Sequence, residues 1–380
     1  KPNPHYGWVA LNHQGQVFES TDGAAGTWSG PTGVPGFGTG LEVASIVRQG
    51  GFWFVIVEGN TNIYMQSNHI AYANAVDGVG INTFPSTNGW TQMNDDGTGV
   101  DRPRALYSDG TYAYMTVVND TGVAGHSQNR LWQSSIAVSD ASVPTWTQLN
   151  SNASWNGQSV TGSMVDPDGN VVSEAVGIQH GAAHGSLHIW VAKPNGSSFG
   201  CTRIISYDTT AGVDVINSVM ANTPNSAAFM GCPVYCSTSY SWFVPCRDGV
   251  VKSTDQGLNW SQISLSHGSA DYVYVKAIAA SASGTLVAVG YTTTSGVEEG
   301  IIFRSDDDGA TWTAIATHEE NLYSVAAATD GNWVIGGRNN TLGFSTDDGL
   351  AWSNASDAED NGTAGATISA VHYGGLEQEL

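Results

Sequence analysis

The sequence predicts an all-β chain built as one ring of repeated, mostly four-stranded sheets, and three observations predict it. First, the composition is that of a turn-rich β protein: 47 Gly, 13 Trp and 14 Tyr in 380 residues, with charged residues at only 12 %. Second, one eight-residue pattern, S-x-D-x-G-x-x-W, recurs without a gap at Ser253–Trp260, Ser305–Trp312 and Ser345–Trp352. Third, aromatic landmarks at Trp28, Trp90, Trp146, Phe199, Trp260, Trp312 and Trp352 are spaced by 40 to 62 residues, the period of a four-stranded unit with loops of varied length.

The eight-residue pattern has a direct physical reading. Ser and Asp supply a hydroxyl and a carboxylate that accept from backbone N–H groups, and Gly takes a positive φ, so the segment is a tight turn. The Trp three residues later opens the next strand and fills apolar space between neighbouring sheets. Earlier copies are altered: Ser20–Trp28 carries one extra residue, Ser139–Trp146 lacks the Gly, and the second and fourth units keep only Trp90 and Phe199.

On these residues the chain resembles the sialidase-like (Asp-box, or BNR-repeat) β-propeller superfamily. Its members include sialidases, endoglucanases, sorting-receptor propellers, photosystem assembly factors and phage tail or particle proteins. The resemblance implies a β-propeller, with Ser253, Asp255, Gly257, Trp260, Ser305, Asp307, Gly309, Trp312, Ser345, Asp347, Gly349 and Trp352 as structural turns between third and fourth strands. Seven blades fit the landmarks; six or eight are the alternatives. The resemblance speaks to fold and is nearly silent on function.

Taken in order, the seventh blade reads as strands Tyr323–Ala328, Trp333–Gly337, Thr341–Ser345 and a fourth from Trp352. The sixth reads as Val273–Ala280, Thr285–Gly290, Gly300–Arg304 and Trp312–Ala316. Before Trp28 there is room for only Gly7–Asn12 and Gln16–Ser20, while Thr367–Tyr373 has the register of a first strand. That segment is expected to complete the first blade and close the ring, removing exposed sheet edges. Residues 1–380 are then a single domain, with a frayed tail from Gly374.

Charge narrows the function. A net charge of −22, from 34 acidic and 12 basic residues, repels nucleic acid and anionic lipid. No apolar run is long enough for a membrane-spanning helix, so no membrane insertion is expected. A polar but weakly charged surface suits an extracellular or virion-surface protein.

Candidate binding residues lie on the expected loop face, opposite the eight-residue turns. The longest loops there are read as Asn68–Asn88, Asn119–Asn129, His180–Ser186 and Thr292–Glu299; Asn68–Asn88 also fits a third-to-fourth connection. Glycan or partner contacts are assigned to Asp101, Arg102 and Arg104 entering the third blade and to His180 and His184 in a Gly-rich loop. Glu319 and Glu320 entering the seventh blade and Arg338 at the end of its second strand complete the set. A sialidase binds its substrate carboxylate with three Arg from different blades; Arg102, Arg104 and Arg338 are the nearest equivalents. The Phe-Arg-Ile-Pro motif of that family is absent, and the first blade has no Arg. A glycosidase needs two facing carboxylates, and residues from different blades cannot be matched by spacing. No catalytic residue is assigned.

Exposed Trp155, Tyr272 and Tyr291 are further candidates for stacking on sugar rings. Asp166–Asn170 reads as a hairpin turn, with a weak surface Ca²⁺ site the alternative; no other cofactor or metal is expected. Cys232 and Cys246 are placed opposite each other on two strands and could form a disulfide, with buried free thiols the equal alternative. The reading that fits best is a non-catalytic module of a phage particle, tail or adhesin, contacting glycans or other protein subunits. A sialidase-like glycoside hydrolase is the alternative, and a photosystem-assembly scaffold fits poorly with only eight Arg.

Overall fold

The computed structural model describes residues 7–14, 16–33, 41–49, 52–59, 69–74, 100–109, 111–120, 127–134, 146–148, 164–165, 171–172, 176–194, 201, 203–209, 213–217, 229–355 and 365–373. Among them the strands form seven sheets, numbered here by chain order, and the one helical element is a 3₁₀ turn, Arg338–Asn340.

Sheet 1 joins Ile368–Tyr373, Trp8–Asn12, Gln16–Ser20 and Ser29–Gly33. Sheet 2 contains Leu41–Gln49, Phe52–Gly59 and His69–Asn74, and sheet 3 contains Val100–Ser108, Ala113–Asp120, Ser127–Ser134 and Trp146–Gln148. Sheet 4 contains Val176–His184, Leu187–Pro194, Arg203–Asp208 and Val213–Asn217; a short hairpin, Met164–Val165 with Val171–Val172, extends its outer edge. Sheet 5 contains Val234–Cys236, Ser241–Cys246, Gly249–Ser253 and Ser261–Ser264. Sheet 6 contains Tyr272–Ala280, Leu286–Thr294, Val297–Ser305 and Thr313–His318, and sheet 7 contains Leu322–Ala327, Trp333–Gly337, Leu342–Ser345 and Ser353–Asn354.

First strands of consecutive sheets touch in cyclic order, and the last contact returns from sheet 7 to sheet 1. The C-terminal strand closes the circle, with Trp8↔Tyr373 and Ala10↔Val371 among its antiparallel pairs. His13 fastens the junction: its backbone N–H donates to the Thr367 carbonyl at 2.9 Å, and its Nδ1 accepts from the Thr367 N–H at 2.8 Å.

The core lies between adjacent sheets. Phe243, Val250, Val275, Ile301 and Phe303 pack sheet 5 on sheet 6, and Val287, Ile302, Leu322 and Trp333 pack sheet 6 on sheet 7. Second strands contribute fully buried indoles at Trp8, Trp190, Trp242 and Trp333. Each is a payload on the order of 200 Å² of buried surface.

The eight-residue turns are built as their residue types require. Ser253, Ser305 and Ser345 Oγ accept from the N–H of Gly257, Gly309 and Gly349 at 2.9, 2.9 and 3.0 Å. The Asp carboxylates accept from the backbone four residues on, at 2.8 Å for Asn259 and Thr311 and 2.9 Å for Ala351. Trp260 and Trp352 donate Nε1–H to the Gly carbonyl; Trp312 Nε1 has no partner in the structure. Gly309 shows why no other residue serves: its φ is +72°, and a Cβ there would lie 2.4 Å from Phe243 of the preceding sheet. The altered copy at Ser20–Trp28 makes the same turn, with the Gly23 N–H on Ser20 Oγ at 2.8 Å and Trp28 Nε1 on the Gly23 carbonyl at 3.0 Å.

Sheet 4 differs from the expected plan. The Asp166–Asn170 stretch joins the added edge hairpin rather than the first and second strands; its own residues lie outside the described set. Every following strand moves one place, so Phe199 precedes the third strand instead of opening the fourth. The displacement arises because two short Val-rich strands imitate the start of a unit. Trp90, Trp155, most of Asn68–Asn88 and the tail from Gly374 also lie outside the described residues.

Candidate functional site

The antiparallel plan gives the ring two faces. Eight-residue turns and first-to-second turns share one; second-to-third turns and sheet-to-sheet connections share the other.

On the second face, sheet 6 begins Tyr272-Val273-Tyr274-Val275-Lys276. Strand alternation buries Val273 and Val275 and leaves Tyr272, Tyr274 and Lys276 on the other side. Tyr274 pairs in register with Tyr291, so the two rings stack at 4.8 Å. Tyr272 adjoins Tyr274 at 6.3 Å, and Tyr323 of sheet 7 adjoins Tyr291 at 6.3 Å. Four tyrosines therefore form one strip across two sheets.

Two cations border the strip. Arg247, in the second-to-third turn of sheet 5, bridges to Tyr274 through its backbone and lays its guanidinium 3.8 Å from the Tyr272 ring centroid. Its Nε is 3.5 Å from Asp248. Lys276 Nζ lies 5.5 Å from the Tyr291 ring and 6.0 Å from the Tyr323 ring. It makes no hydrogen bond or salt bridge among the described residues. Burial lowers the Lys276 pKa, and Glu298 opposes the shift. Burial, then Tyr323 and Glu298, push the Tyr291 hydroxyl up to about 12, so it remains a neutral hydrogen-bonding group.

Lys276 and Tyr323 share a backbone feature. Each is the extra residue of a β-bulge, shown by the pairs Val275↔Gly290 then Ala277↔Val289, and Leu322↔Gly337 then Ser324↔Gly336. The same shift falls at Ala44, Arg104, Gln179 and Ser369, so six of the seven first strands bulge near their starts. A bulge re-aims side chains out of strand alternation.

A polar groove of about 620 Å³ lies on the same face, lined by Thr317–Glu320, Asn339–Thr341, Asn354 and Gly365. Asn339 Nδ2 donates to Glu320 Oε1 at 2.6 Å, and Asn12 Nδ2 donates to Asn340 Oδ1 at 2.9 Å. Asn339 and Asn340 both hold positive φ, at 54° and 58°, a conformation asparagine tolerates better than most residues.

The sequence candidates lie on sheets 3, 4 and 7 and in the connection before sheet 7. Glu319 and Glu320 line the groove, and Arg338 is exposed at its edge turn. Asp101, Arg102 and Arg104 belong to the first strand of sheet 3 itself, not to the connection before it. His180 and His184 are also corrected: they lie in the first strand of sheet 4, and the turn is Gly185-Ser186. The glycines suggested a loop, but Gly181 is needed where Tyr107 and Trp190 leave no room for a Cβ. His184 stacks on Tyr235 at 3.7 Å, toward the opposite face. Thr292–Glu299 is a two-residue turn between long strands rather than a long loop.

The cysteine pairing is corrected as well. No disulfide joins any of the four cysteines; Phe229, not Cys232, stands opposite Cys246, because the chain leaves strand pairing between Phe229 and Val234. Among the described residues no three His, Cys, Asp or Glu side chains converge as a metal cluster, and no helix is long and apolar enough to cross a membrane.

No protein-family model matches the chain, and no curated protein does. Among solved structures it is similar to YCF48 bound to D1 peptide, at 14 % identity and TM-score 0.52, covering 89 % of each chain. It is likewise similar to YCF48 from Cyanidioschyzon merolae, at 13 % identity and TM-score 0.50, over 90 % of this chain and 91 % of that one. The fold is a β-propeller. The extracellular domain of BT4673 from B. thetaiotaomicron is a looser match, at 13 % identity and TM-score 0.49; the propeller spans 35 % of that chain and 86 % of itself. At such identities the likeness carries the fold alone.

Tyr274, Tyr323, Arg247 and Lys276 were absent from the sequence candidates. One signal was available: the alternation Tyr-Val-Tyr-Val-Lys, which places one of only four Lys beside two aromatics.

Proposed function

We propose that the chain is a non-catalytic, seven-bladed Asp-box propeller of sialidase-like type, acting as a binding and structural module. The setting is a phage particle, tail or adhesin at an extracellular or virion surface, and the ligands are glycans or neighbouring protein subunits. The observation that supports this reading is the four-tyrosine strip with Arg247 and Lys276 at its edges. Flat π-faces accept the apolar face of a sugar ring, and phenolic and cationic groups supply polar contacts around it. Such a platform holds a ligand without needing to polarise a bond in it.

The test is retention and turnover on one panel of polysaccharides, read by mass spectrometry. Retention of at least one glycan intact, weakened more than ten-fold by Tyr274→Ala, is the expected result. Cleaved products that vanish in Glu320→Ala would instead establish the glycoside-hydrolase alternative. A panel passed through without retention or cleavage removes the glycan reading and leaves protein subunits as the ligand.

A further inference from the structure

The two cations on the tyrosine strip are not equivalent. At one end the Arg247 guanidinium covers Tyr272, and its Nε faces Asp248 Oδ2 at 3.5 Å. Asp248 is itself fixed, its Oδ1 accepting from the Val273 N–H at 3.0 Å. The Arg247 charge is therefore matched within the protein. At the other end Lys276 is half-buried, and its three ammonium donors meet no acceptor among the described residues. Glu298 is the acid whose charge acts on Lys276, but its carboxylate is engaged elsewhere: Oε2 accepts from Asn321 Nδ2 at 2.7 Å. On the sheet 4 side the group that feels the Lys276 charge is His180, and it is neutral. Burial, reinforced by Lys276, lowers its pKa to about 4.

A partly desolvated ammonium without a hydrogen-bonded counter-ion is unfavourable. The chain has 34 acidic residues against 12 basic ones, so acids are not scarce. Nor is Lys276 loosely placed. It is the extra residue of its bulge; its carbonyl lies against Gly231, and the Tyr274 carbonyl against Gly290, at points where neither glycine could carry a Cβ. The ammonium is thereby held beside the stack, 5.5 Å from the Tyr291 ring and 6.0 Å from the Tyr323 ring. An unmet cation next to an aromatic platform selects a ligand with one apolar face and an acid group at its edge.

We propose that the strip is selective for uronic-acid sugars, with a pyranose ring stacked on Tyr291 and its carboxylate received by Lys276. This rests on the strip being a glycan platform. A uronic acid carries its carboxylate directly on a ring carbon, so the charge lies at the ring edge, within reach of an ammonium beside the stack. A sulfate ester stands further off, on an oxygen. The net charge of −22 sharpens the inference. The protein as a whole repels anions, so a preference for an acidic sugar has to come from a local cation and not from diffuse attraction.

The experiment is calorimetric titration of the full chain with oligogalacturonate, oligoglucuronate and oligomannuronate, each as the free acid and as its methyl ester. Esterification removes the charge and nearly keeps the shape. Neutral and sulfated oligosaccharides form two further arms. Wild type should bind at least one free acid about ten-fold or more tightly than its ester, the scale of one charge-assisted hydrogen bond. Lys276→Met, which keeps an apolar stem, should abolish that preference, and Lys276→Arg should restore it. Thermal melts verify that each variant is folded. Equal binding of acid and ester by wild type, or a preference that survives in folded Lys276→Met, overturns the inference and leaves the glycan platform standing. Lys276-dependent binding of the sulfated sugars in place of the uronates overturns the carboxylate assignment. Binding of no oligosaccharide in any arm overturns both this inference and the platform.

Discussion

His188 is placed to make this propeller acid-sensitive well above the carboxylate range. It is fully buried between sheets 3 and 4, with Nδ1 3.0 Å from the Tyr107 hydroxyl and no hydrogen-bond partner for Nε2. Tyr107 also receives Trp190 Nε1–H at 2.9 Å, and the rings of Tyr114 and Tyr207 flank the imidazole. Asp109 and Asp208 attract a proton from nearby, but burial dominates and lowers the pKa from 6.5 to about 4. The unfolded chain therefore takes up the proton first. Stability is whole above about pH 6.5 and is lost as pH falls toward 4. At pH 5 unfolded His188 is almost fully protonated and the folded residue only about one-tenth so, a penalty of about 2 kcal/mol. The perturbation is His188→Asn, which keeps a group near Nδ1 for Tyr107 and removes the titration. Chemical denaturation followed by Trp fluorescence at pH 7.5 and pH 5 gives the comparison. The variant should start about 1–3 kcal/mol less stable at pH 7.5 because of the cavity. Its further loss between the two pH values should be smaller than that of wild type by about 2 kcal/mol. His180 titrates in both proteins and cancels. An unchanged pH-dependent loss would refute the account of His188 as a neutral, desolvated base.

Three further outcomes follow from the turns and the closure. Gly309→Ala adds a Cβ against Phe243 at positive φ and should cost about 3 kcal/mol, whereas Gly331→Ala, at φ +86° in open space, should cost about 1; equal losses in denaturation would show that contact with the preceding sheet is irrelevant. Asp307, held down to about 2 chiefly by Thr311, contributes stability that is present above pH 3.8 and disappears as pH falls toward 2. Asp307→Asn should flatten the melting temperature across that interval. Deleting residues 367–380 removes the partner of Trp8–Asn12 and exposes its strand edge. Size-exclusion chromatography should show association or aggregation, and an unchanged monomer with unchanged melting would contradict closure by this strand.

The legible part of the fold was the part governed by local chemistry. S-x-D-x-G-x-x-W names the Ser, Asp, Gly and Trp on which its turn is built, and Trp333–Gly337 and Gln16–Ser20 appear in the structure with the boundaries their sequence predicts. Closure by Ile368–Tyr373 was legible from a missing strand at one end and a spare one at the other. Sheet 4 was not, because a hairpin of two short strands looks locally like the opening of a unit and only nonlocal pairing with Val213–Asn217 reveals it as an addition. Several candidate residues were placed on loops instead of strands for a related reason. Glycine at 181 signalled a loop when it marked close packing, and charged residues were sought in loops when several belonged to inner strands.

Bulges explain why the informative residues escaped the pattern. A strand of period two assigns each side chain to one of two faces, and a sequence reading depends on that alternation. The extra residue in each of six first strands breaks it where neighbouring sheets converge. Lys276 and Tyr323 occupy bulges and meet over Tyr291; His180 follows a bulge and meets Cys232. Hydrophobic periodicity is thus kept where sheets pack on one another and interrupted where side chains face the interior of the ring. The turn repeats can therefore maintain the propeller while the bulge positions vary in chemistry, which is how a common ring acquires a tyrosine platform in one sector and a thiol–imidazole pair in the next.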